Sequence, residues 1–401
     1  MNAGGPVHRD RSLRLRSRRI VTPGAVIDGE IVIRAGRILS VGPSPSPGAA
    51  VPRAELIDLG SDWIVPGFID GHVHGGGGAQ CNTDDPDEVT AVAAFHARHG
   101  TTALLATTVS APVSELVPAL EAIARARGCT AGATILGAHL EGPFVSASRP
   151  GAMDPSSFLA PDAGVLARLL AAEPDLVAMM TLAPELPGAI GLVRELAGRG
   201  VIASLGHSEA TAAQTRAAIG AGACAVTHTF NAMGPLHHRE PALAGVALDR
   251  PELSCELIAD AVHVSGSALR LAHRAKGTAG IRLVTDAISA AGMLDGDYRL
   301  GAMPVRVSDG RARLVAADGS AGDTLAGSTL TMDAAVRIAV RELGVELPDA
   351  VTMAAGNPAR LLGLTGRKGS IVAGLDADLA VLCADLSTRA TLVGGRWALA
   401  P

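Results

Sequence analysis

The sequence predicts an α/β protein in which a TIM-type (β/α)8 barrel carries a small β-sandwich domain built from both chain termini. The middle of the chain alternates short apolar runs with helical segments, which is typical of a parallel sheet. Both ends instead hold β-branched runs separated by glycine-containing turns. We therefore assign 19–62 plus 366–401 to the sandwich and 63–365 to the barrel.

Composition excludes several classes of protein. The chain has 401 residues, of which 48% are hydrophobic and 18% charged, so it can bury a large core. A net charge of −5 gives no indication of a nucleic-acid partner. No uncharged apolar run approaches the roughly 18 residues of a membrane span, so we expect no membrane partner. The five cysteines are dispersed without a C-x-x-C pair, which indicates reduced thiols and a cytoplasmic protein.

The amino-terminal end is rich in arginine. Six arginines occur in the first twenty residues, and no apolar segment of signal-peptide length follows them. We expect 1–18 to be a disordered extension, or the product of a start codon placed too far upstream.

The terminal domain is predicted from two separated sets of strands. Runs at 24–30, 31–34 and 37–41 precede the barrel, and runs at 379–382 and 391–397 follow it. Because chain ends often lie close together, we expect these runs to form one small domain.

Eight βα units predict the barrel. The expected strands are Ile64–His72, Thr101–Val109, Thr134–Glu141, Leu176–Ala183, Val201–His207, Ala225–Asn231, Leu253–His263 and Ile281–Ser289. The helices expected between them include Pro86–His99, Pro112–Arg127, Pro161–Ala172, Pro187–Arg199 and Glu209–Ala221. The segment 298–317 predicts a hairpin inserted after strand eight, as a flap. In such a barrel the active site lies at the carboxyl ends of the strands.

Six polar side chains fall at that end of the predicted barrel. His72 and His74 form a His-x-His pair whose imidazoles point the same way along an extended strand. The full set is His72, His74, Glu141, His207, His228 and Asp286. Imidazoles with a carboxylate indicate a divalent metal, with zinc favoured and iron, cobalt or nickel open on the same donors. Such a metal would activate water, and Asp286 could accept its proton and later return it.

Seven motifs carry a resemblance to a known family. They are PGFIDGHVHGGGG, HLEGPF, LGHS, THTFNAMGPLHHREPALAG, IADAVHV, LVTDAISAAG and LAGSTLTM. In this order, over residues 21–397, the chain resembles the amidohydrolase superfamily and, within it, the N-acetylglucosamine-6-phosphate deacetylases. The resemblance implies metal-dependent hydrolysis of the N-acetyl group of N-acetylglucosamine 6-phosphate, giving glucosamine 6-phosphate and acetate in amino-sugar catabolism and cell-wall sugar recycling.

The resemblance also implies roles for individual residues. It implies metal ligation by Glu141, His207 and His228, a second metal on His72 and His74, and acid/base catalysis by Asp286. The substrate contacts that it implies are Asn231, the Ala232 backbone and Leu325, with Arg239 and His263 on the sugar phosphate. The resemblance further implies a homodimer in which the partner subunit completes part of the phosphate site.

One position departs from the family pattern. After HLEGPF, the deacetylases usually carry a histidine that reaches the substrate, whereas this chain has Met153 in Gly151-Ala152-Met153-Asp154-Pro155. A thioether cannot donate a hydrogen bond as an imidazole can. We hypothesise a slower enzyme, or one retuned to a less polar sugar or acyl group. The alternative is that another group or a water replaces the lost contact.

Other histidines are expected outside the ligand set. His139 faces the same way as Glu141, and we expect it to support the ligands from behind or to lie in the core. His96, His99 and His273 fall on predicted helices, and we expect them at the surface.

Three rival interpretations remain at this point. Dihydroorotase-, hydantoinase- and urease-type enzymes often bridge two metals with a carboxylated lysine, but Lys276 and Lys368 are the only lysines and neither ends a barrel strand. A weakly active sugar-phosphate-binding sensor could use the same barrel. A deacetylase of another N-acetylhexosamine 6-phosphate, such as the galactosamine isomer, would differ in the orientation of one substrate hydroxyl.

Overall fold

A computed structural model describes residues 12–43, 54–128, 132–316 and 318–401. Strands from both ends of the chain form one eight-stranded sheet, the terminal sheet. Its strands are Ser12–Thr22, Ala25–Arg34, Arg37–Gly42, Glu55–Asp58, Trp63–Pro66, Leu379–Leu382, Thr388–Val393 and Arg396–Leu399. The expected separate β structure built from both termini is confirmed. Trp63–Pro66 pairs within this sheet, so the terminal sheet extends past the boundary expected at residue 63.

The first strand corrects our expectation for the amino-terminal end. Ser12–Thr22 pairs antiparallel with Ala25–Arg34, and alternate side chains such as Leu13 and Leu15 are buried. Arg14 on the other face donates two hydrogen bonds to Glu30, at 2.9 and 2.8 Å. The expected disordered extension 1–18 is therefore wrong over residues 12–18, while 1–11 lie outside the described residues. The arginines alternate with apolar residues, and this period of two favours a half-buried strand.

The terminal sheet curls around its own apolar core. The Ile38 amide donates to the Leu375 carbonyl at 2.9 Å, and the Gly374 amide donates to the Ile38 carbonyl at 2.7 Å. These bonds bring the strand Arg37–Gly42 to the segment before Leu379–Leu382. Isoleucines and leucines from both halves, including Ile31 and Leu379, pack in one cluster inside the curl.

Eight parallel strands form the barrel, as expected. They are Phe68–Val73, Thr101–Val109, Thr134–Glu141, Val177–Leu182, Ile202–Leu205, Ala225–Val226, Ser254–Ile258 and Ile281–Val284, and we number them barrel strands one to eight. Strands one and eight meet through a bridge between Val73 and Ala287. There the Thr285 hydroxyl donates to the buried Asp70 carboxylate at 2.6 Å, and the Asp286 amide donates to the His72 carbonyl at 2.9 Å.

Helices cover the outside of the barrel. The α-helices are Pro86–Ala97, Val113–Ala126, Ala163–Ala172, Ala189–Gly198, Ala212–Ala221, Ala242–Asp249, Gly266–Lys276, Met332–Ile338, Leu347–Val351 and Asn357–Leu361. Two π-helical segments, Ala339–Leu343 and Thr352–Gly356, and two 3-10 turns, Pro155–Ser157 and Thr278–Gly280, complete the set. The helix at 212–221 shows why the sequence signals work: Thr211 and Gln214 form a capping box, and Gly222 ends the helix at φ 114°. Within the described residues, no helix is both long enough and apolar enough to cross a membrane.

A flap follows barrel strand eight. It is a four-stranded antiparallel sheet of Gly296–Leu300, Met303–Ser308, Arg311–Val315 and Ala321–Leu325, larger than the expected hairpin. Its apolar face packs on residues from the barrel loops, including Val145 and Met153. A short ribbon of Gly75–Gly76 and Ala79–Gln80 follows strand one. The flap and this ribbon lie at the rim where the strands end.

Candidate metal and active site

The six side chains expected at the rim meet in one buried cluster. The Nε2 atoms of His72 and His74 are 3.0 Å apart, and those of His207 and His228 are also 3.0 Å apart. Two groups of possible ligands result, His72–His74–Glu141 and Glu141–His207–His228, and within each group the ligand atoms lie within 4.8 Å of one another. The structure thus brings together all the metal-ligand candidates of the sequence.

Glu141 stands between the two groups. Its Oε1 lies 3.1 Å from His207 Nε2 and 2.9 Å from His228 Nε2. Its Oε2 lies 3.3 Å from His74 Nε2. One carboxylate therefore contacts histidines of both groups, with Oε1 also 3.6 Å from His72 Nε2, and this arrangement allows it to contribute to two metal positions.

The hydrogen bonds behind the rings show that the cluster fits a cation. His74 Nδ1 lies 3.2 Å from the Thr107 carbonyl, and His207 Nδ1 lies 2.9 Å from the Arg149 carbonyl. Since a carbonyl only accepts, each Nδ1 carries a hydrogen, and in the neutral ring each Nε2 turns a lone pair toward the cluster. This is the form in which imidazole ligates metal. We conclude that the donors present fit one or two divalent metal ions.

Charges in the cluster compensate one another. Burial opposes protonation of His72, but the nearby Asp286 and Glu141 carboxylates raise its pKa well above the usual value. Burial raises the pKa of Glu141, yet the surrounding imidazoles, His72 first among them, bring it well below the usual value. The lowered pKa keeps Glu141 ionised, as a metal ligand must be, and the carboxylates that attract a proton to His72 would attract a metal cation to the same point.

Asp286 is placed as an acid/base at the edge of both groups. Its Oδ1 is 3.1 Å from His74 Nε2 and 3.4 Å from His72 Nε2. Burial raises the pKa of Asp286, but the charge of His72 and the hydrogen bond to His74 outweigh burial and lower it. An ionised carboxylate at this point can accept a proton.

The backbone at the rim is strained where functional side chains leave their strands. His207, His228 and Asp286 have φ values of 47°, 27° and 51°, in the left-handed region that non-glycine residues rarely adopt. Such strain collects at functional sites because the surrounding structure holds the residue in place. Barrel strand six ends at Val226, earlier than expected, and His228 follows two residues later.

Two of the expected substrate residues share a cavity beside Asp286. His263 and Leu325 line a space of about 210 Å³ together with Gly327 and Ser328. A Cβ placed on Gly327 would lie 3.7 Å from Asp286 Oδ1, so one of the residues that line the cavity is also a neighbour of the acid/base. The His263 ring is fixed by a hydrogen bond from Nδ1 to Asp260 Oδ2 at 2.7 Å.

Asn231 and Ala232 follow His228 directly. The Asn231 side-chain amide donates to the His228 carbonyl at 3.1 Å, and the Ala232 carbonyl accepts from the Ser208 amide at 3.1 Å. Both residues are half-buried at the rim. They are therefore close to the metal-ligand candidates, as the sequence predicts.

Arg239 is separate from this cavity. It is exposed, and its Nη1 contacts His238 Nε2 at 3.0 Å, while the His237 and His238 rings lie 4.2 Å apart. It is not among the residues that line the cavity of His263 and Leu325. The structure of a single chain leaves its guanidinium at the surface.

Met153 lies under the flap. It is buried, its Sδ accepts a hydrogen bond from the Ser110 amide at 3.4 Å, and it packs with flap residues such as Val305 and Val307. Its neighbour Gly151 touches the metal-ligand candidate: a Cβ there would lie 2.9 Å from His207 Cε1. Met153 thus lies in an apolar cluster, two residues along the chain from Gly151, which contacts His207.

Of the other histidines, His139 lies where we expect it and His96 does not. His139 belongs to neither metal group; its Nε2 lies 2.8 Å from the Thr181 hydroxyl, and burial lowers its pKa to about 3. His96 was expected at the surface, which is wrong. It is buried with Nε2 2.9 Å from the Gly75 carbonyl, and burial lowers its pKa to about 4. It anchors the glycine-rich segment after His74.

Sequence reasoning missed two charged residues behind the cluster. Glu256 and Arg282 are buried on barrel strands seven and eight and form an ion pair at 3.0 Å. The available signal was a charge inside each of two apolar strands, Ser254–Ile258 and Ile281–Val284. Charges buried inside a barrel require partners of opposite charge, and this requirement favours pairing of Glu256 with Arg282.

Comparison with known proteins identifies the family of this chain. Residues 63–398 match the model of the amidohydrolase family. An N-acetylgalactosamine-6-phosphate deacetylase from Escherichia coli O157:H7 is 38% identical over 386 residues, covering 96% of this chain and 98% of the relative. The N-acetylglucosamine-6-phosphate deacetylase of Bacillus subtilis is 37% identical over 391 residues and 96% of both chains.

A solved structure extends the likeness to the fold. A mutant N-acetyl-D-glucosamine-6-phosphate deacetylase from Mycobacterium smegmatis, in complex with N-acetyl-D-glucosamine-6-phosphate, superposes with a TM-score of 0.90 at 38% identity. The match covers 97% of this chain and 100% of that one. With its metal-ligand cluster, its barrel and these relatives, the chain belongs to the amidohydrolase family.

Proposed function

We propose that this protein is a metal-dependent hydrolase that removes the N-acetyl group of N-acetylglucosamine 6-phosphate, giving glucosamine 6-phosphate and acetate. The observation that carries the proposal is the buried cluster in which Glu141 joins two histidine pairs and Asp286 lies beside them. The deacetylase relatives, which match nearly the whole chain, support the same reaction.

The metal would be held by Glu141, His207 and His228, with a second ion on His72, His74 and Glu141. Zinc suits this donor set, and iron, cobalt and nickel suit it as well. When bound, the ion lowers the pKa of water and polarises the acetyl carbonyl. This is the one contribution that the chain's own side chains do not supply.

Asp286 moves the proton in the reaction. Its carboxylate accepts a proton from the attacking water as the water oxygen bonds to the acetyl carbon. The same proton then passes to the sugar nitrogen as the carbon–nitrogen bond breaks, so the free amine and acetic acid leave, the acid gives up its remaining proton to water to become acetate, and Asp286 is ionised again. Positive charge beside Asp286, which His72 supplies in this structure and a bound metal ion would supply in its place, favours the ionised starting form.

The sugar phosphate would bind between the cavity and the loop of Arg239. His263, Leu325, Asn231 and the Ala232 backbone would orient the sugar beside Asp286. Arg239 would bind the phosphate dianion, because a guanidinium donates to phosphate oxygens in a well-matched geometry.

The position of Arg239 supports a homodimer in which the partner subunit completes the phosphate site. Arg239 is exposed and outside the cavity, and the neighbouring Leu236 is 55% exposed. In a dimer, the partner subunit would cover both residues. Arg239 of each chain would then reach the substrate bound to the other chain. We further propose that the enzyme acts in the cytoplasm in amino-sugar catabolism and cell-wall sugar recycling.

A second candidate substrate is N-acetylgalactosamine 6-phosphate. The relative from Escherichia coli O157:H7 carries that name at 38% identity, equal to the identity of the mycobacterial structure. The two sugars differ in the configuration of one hydroxyl. A sensor without activity is disfavoured, because Asp286 and all the metal-ligand candidates are in place.

Acetate release tests the proposal. Purified protein loaded with Zn²⁺ is offered N-acetylglucosamine 6-phosphate, N-acetylgalactosamine 6-phosphate and both unphosphorylated sugars. We expect the highest kcat/KM on the glucosamine derivative, with activity lost on chelation. A preference for the galactosamine derivative would transfer the assignment to the second candidate, and release from none of them would reject the function.

A further inference from the structure

A buried ion pair lies directly behind His72. Glu256 on barrel strand seven and Arg282 on barrel strand eight are neighbours in the strand register, and their side chains are 0% and 1% exposed. Burying two charges is costly unless both are paired and hydrogen-bonded, and apolar residues of similar volume often serve stability equally well. The contacts of the pair therefore indicate which role it has besides stability.

The pair is held by a set of directed hydrogen bonds. Arg282 Nη1 donates to Glu256 Oε1 at 3.0 Å, and Arg282 Nε donates to the Ser254 hydroxyl at 2.9 Å. Glu256 Oε2 faces the metal cluster, where it accepts from His72 Nδ1 at 3.1 Å and from the His228 amide at 3.2 Å. Oε1 of Glu256 is thus held by the Arg282 guanidinium, while Oε2 holds the His72 ring and the His228 backbone amide.

The two metal positions differ in this respect. His74 and His207 donate to backbone carbonyls, whereas His72 donates to a carboxylate. A carboxylate behind a ligating imidazole fixes the ring and its tautomer and makes the opposite nitrogen a better donor. Of the two ligand groups found in the described residues, only His72–His74–Glu141 contains a histidine supported in this way.

We propose that Glu256, held by Arg282, is a positioning residue that orients His72 and sets how tightly the His72–His74–Glu141 position holds its metal ion. The inference rests on the proposed function, because it requires a metal site. It adds that the two positions are tuned unequally: the Glu256–Arg282 pair acts on a ligating ring at one position and contacts the other only through the His228 backbone amide, which a glutamine oxygen can still accept. The ligand that it concerns is a divalent transition-metal cation.

Metal binding to the Glu256→Gln variant tests the inference. Glutamine keeps the size of the side chain and removes its charge. Metal-free protein is titrated with Zn²⁺ under equilibrium dialysis, and Co²⁺ absorption follows the two positions spectroscopically. We call the ion at Glu141–His207–His228 the first equivalent and the ion at His72–His74–Glu141 the second, and we expect the first to bind as in the wild type and the second to bind about 10- to 100-fold more weakly.

Glu30→Gln is the matched control. Glu30 is also buried and paired with an arginine, Arg14, but it lies in the terminal sheet away from the cluster. Its substitution removes a buried charge without touching a ligand, so both equivalents should bind as in the wild type. Loss of metal in this control would show that the readout follows general destabilisation, and would overturn the inference.

Ser254→Ala keeps the inference testable if Glu256→Gln does not fold. It removes the hydroxyl that accepts from Arg282 Nε and leaves the ion pair itself in place. We expect only the second equivalent to bind more weakly, and by a smaller factor than in Glu256→Gln.

Three results would overturn the inference: a second equivalent that is unchanged in Glu256→Gln, equal weakening of both equivalents, or a wild type that binds one equivalent only. A wild type that binds two equivalents but releases no acetate would instead reject the proposed function and leave this measurement valid.

Discussion

The metal cluster and the loop of Arg239 differ in how completely one chain builds them. In the cluster, His74 and His207 have their Nδ1 atoms fixed by carbonyls, and Glu141 contacts both histidine pairs. Arg239 contacts only the exposed His238 ring among its side-chain partners in the described chain, and it faces solvent. The difference teaches that bond cleavage and phosphate recognition can be organised separately: the first is preorganised inside the barrel, and the second awaits substrate and, in our proposal, a second subunit.

Rigidity follows the same division. The residues of the cluster are buried on or just after barrel strands, and their strained backbone at His207, His228 and Asp286 is held by close packing. Residues 235–240 are exposed on a connecting loop. Mutations in the cluster should therefore change metal content or kcat, whereas mutations in the loop should change KM.

The largest effect is expected from Glu141→Ala. This substitution removes the carboxylate shared by both ligand groups, so the protein should lose metal and turnover together. Metal analysis with acetate release checks this. A variant that keeps its metal and its activity would show that the cluster is not the metal centre.

Asp286→Asn should separate proton transfer from binding. An amide cannot accept the proton from water, so kcat should fall by about 10²- to 10⁴-fold while metal content and KM stay near the wild-type values. Steady-state kinetics and metal analysis provide the two readouts. An unchanged kcat would remove Asp286 from the reaction.

Arg239→Ala should act on the phosphate alone. Loss of charge-assisted hydrogen bonds worth about 1.5–3 kcal/mol should raise KM for the phosphorylated sugar by roughly 10- to 150-fold. The unphosphorylated sugar, which presents no charge to the guanidinium, should be affected little. Equal effects on both sugars would place Arg239 outside the phosphate site.

Met153→His should give the smallest effect and tests the departure from the family pattern. If the missing imidazole contact slows the enzyme, its restoration should raise kcat/KM on N-acetylglucosamine 6-phosphate severalfold, within the ~1–3 kcal/mol of one hydrogen bond in a dry site. Kinetics of the variant beside the wild type measure it. A flat or lower value would show that Met153 is accommodated by the apolar cluster under the flap.

The sequence predicts the barrel and the cluster well because both depend on local patterns. Each ligand candidate follows an apolar run, and the ends of parallel strands meet at one rim. The first strand was missed because we weighed the arginine content of residues 12–18 above their alternation with Leu13 and Leu15. The Glu256–Arg282 pair was missed because strand register, which makes them neighbours, cannot be inferred from either strand alone.

The most direct test of the central claim mixes two impaired variants and measures turnover at a substrate concentration well below the wild-type KM, where each variant alone is nearly inactive. Asp286→Asn lacks the proton carrier and Arg239→Ala lacks the phosphate ligand. If one chain builds the cluster and its partner supplies Arg239, a hybrid dimer contains one complete site, and a refolded equimolar mixture should recover about a quarter of wild-type activity. Activity no higher than that of the separate variants would contradict the account and show that Arg239 serves its own chain or no site.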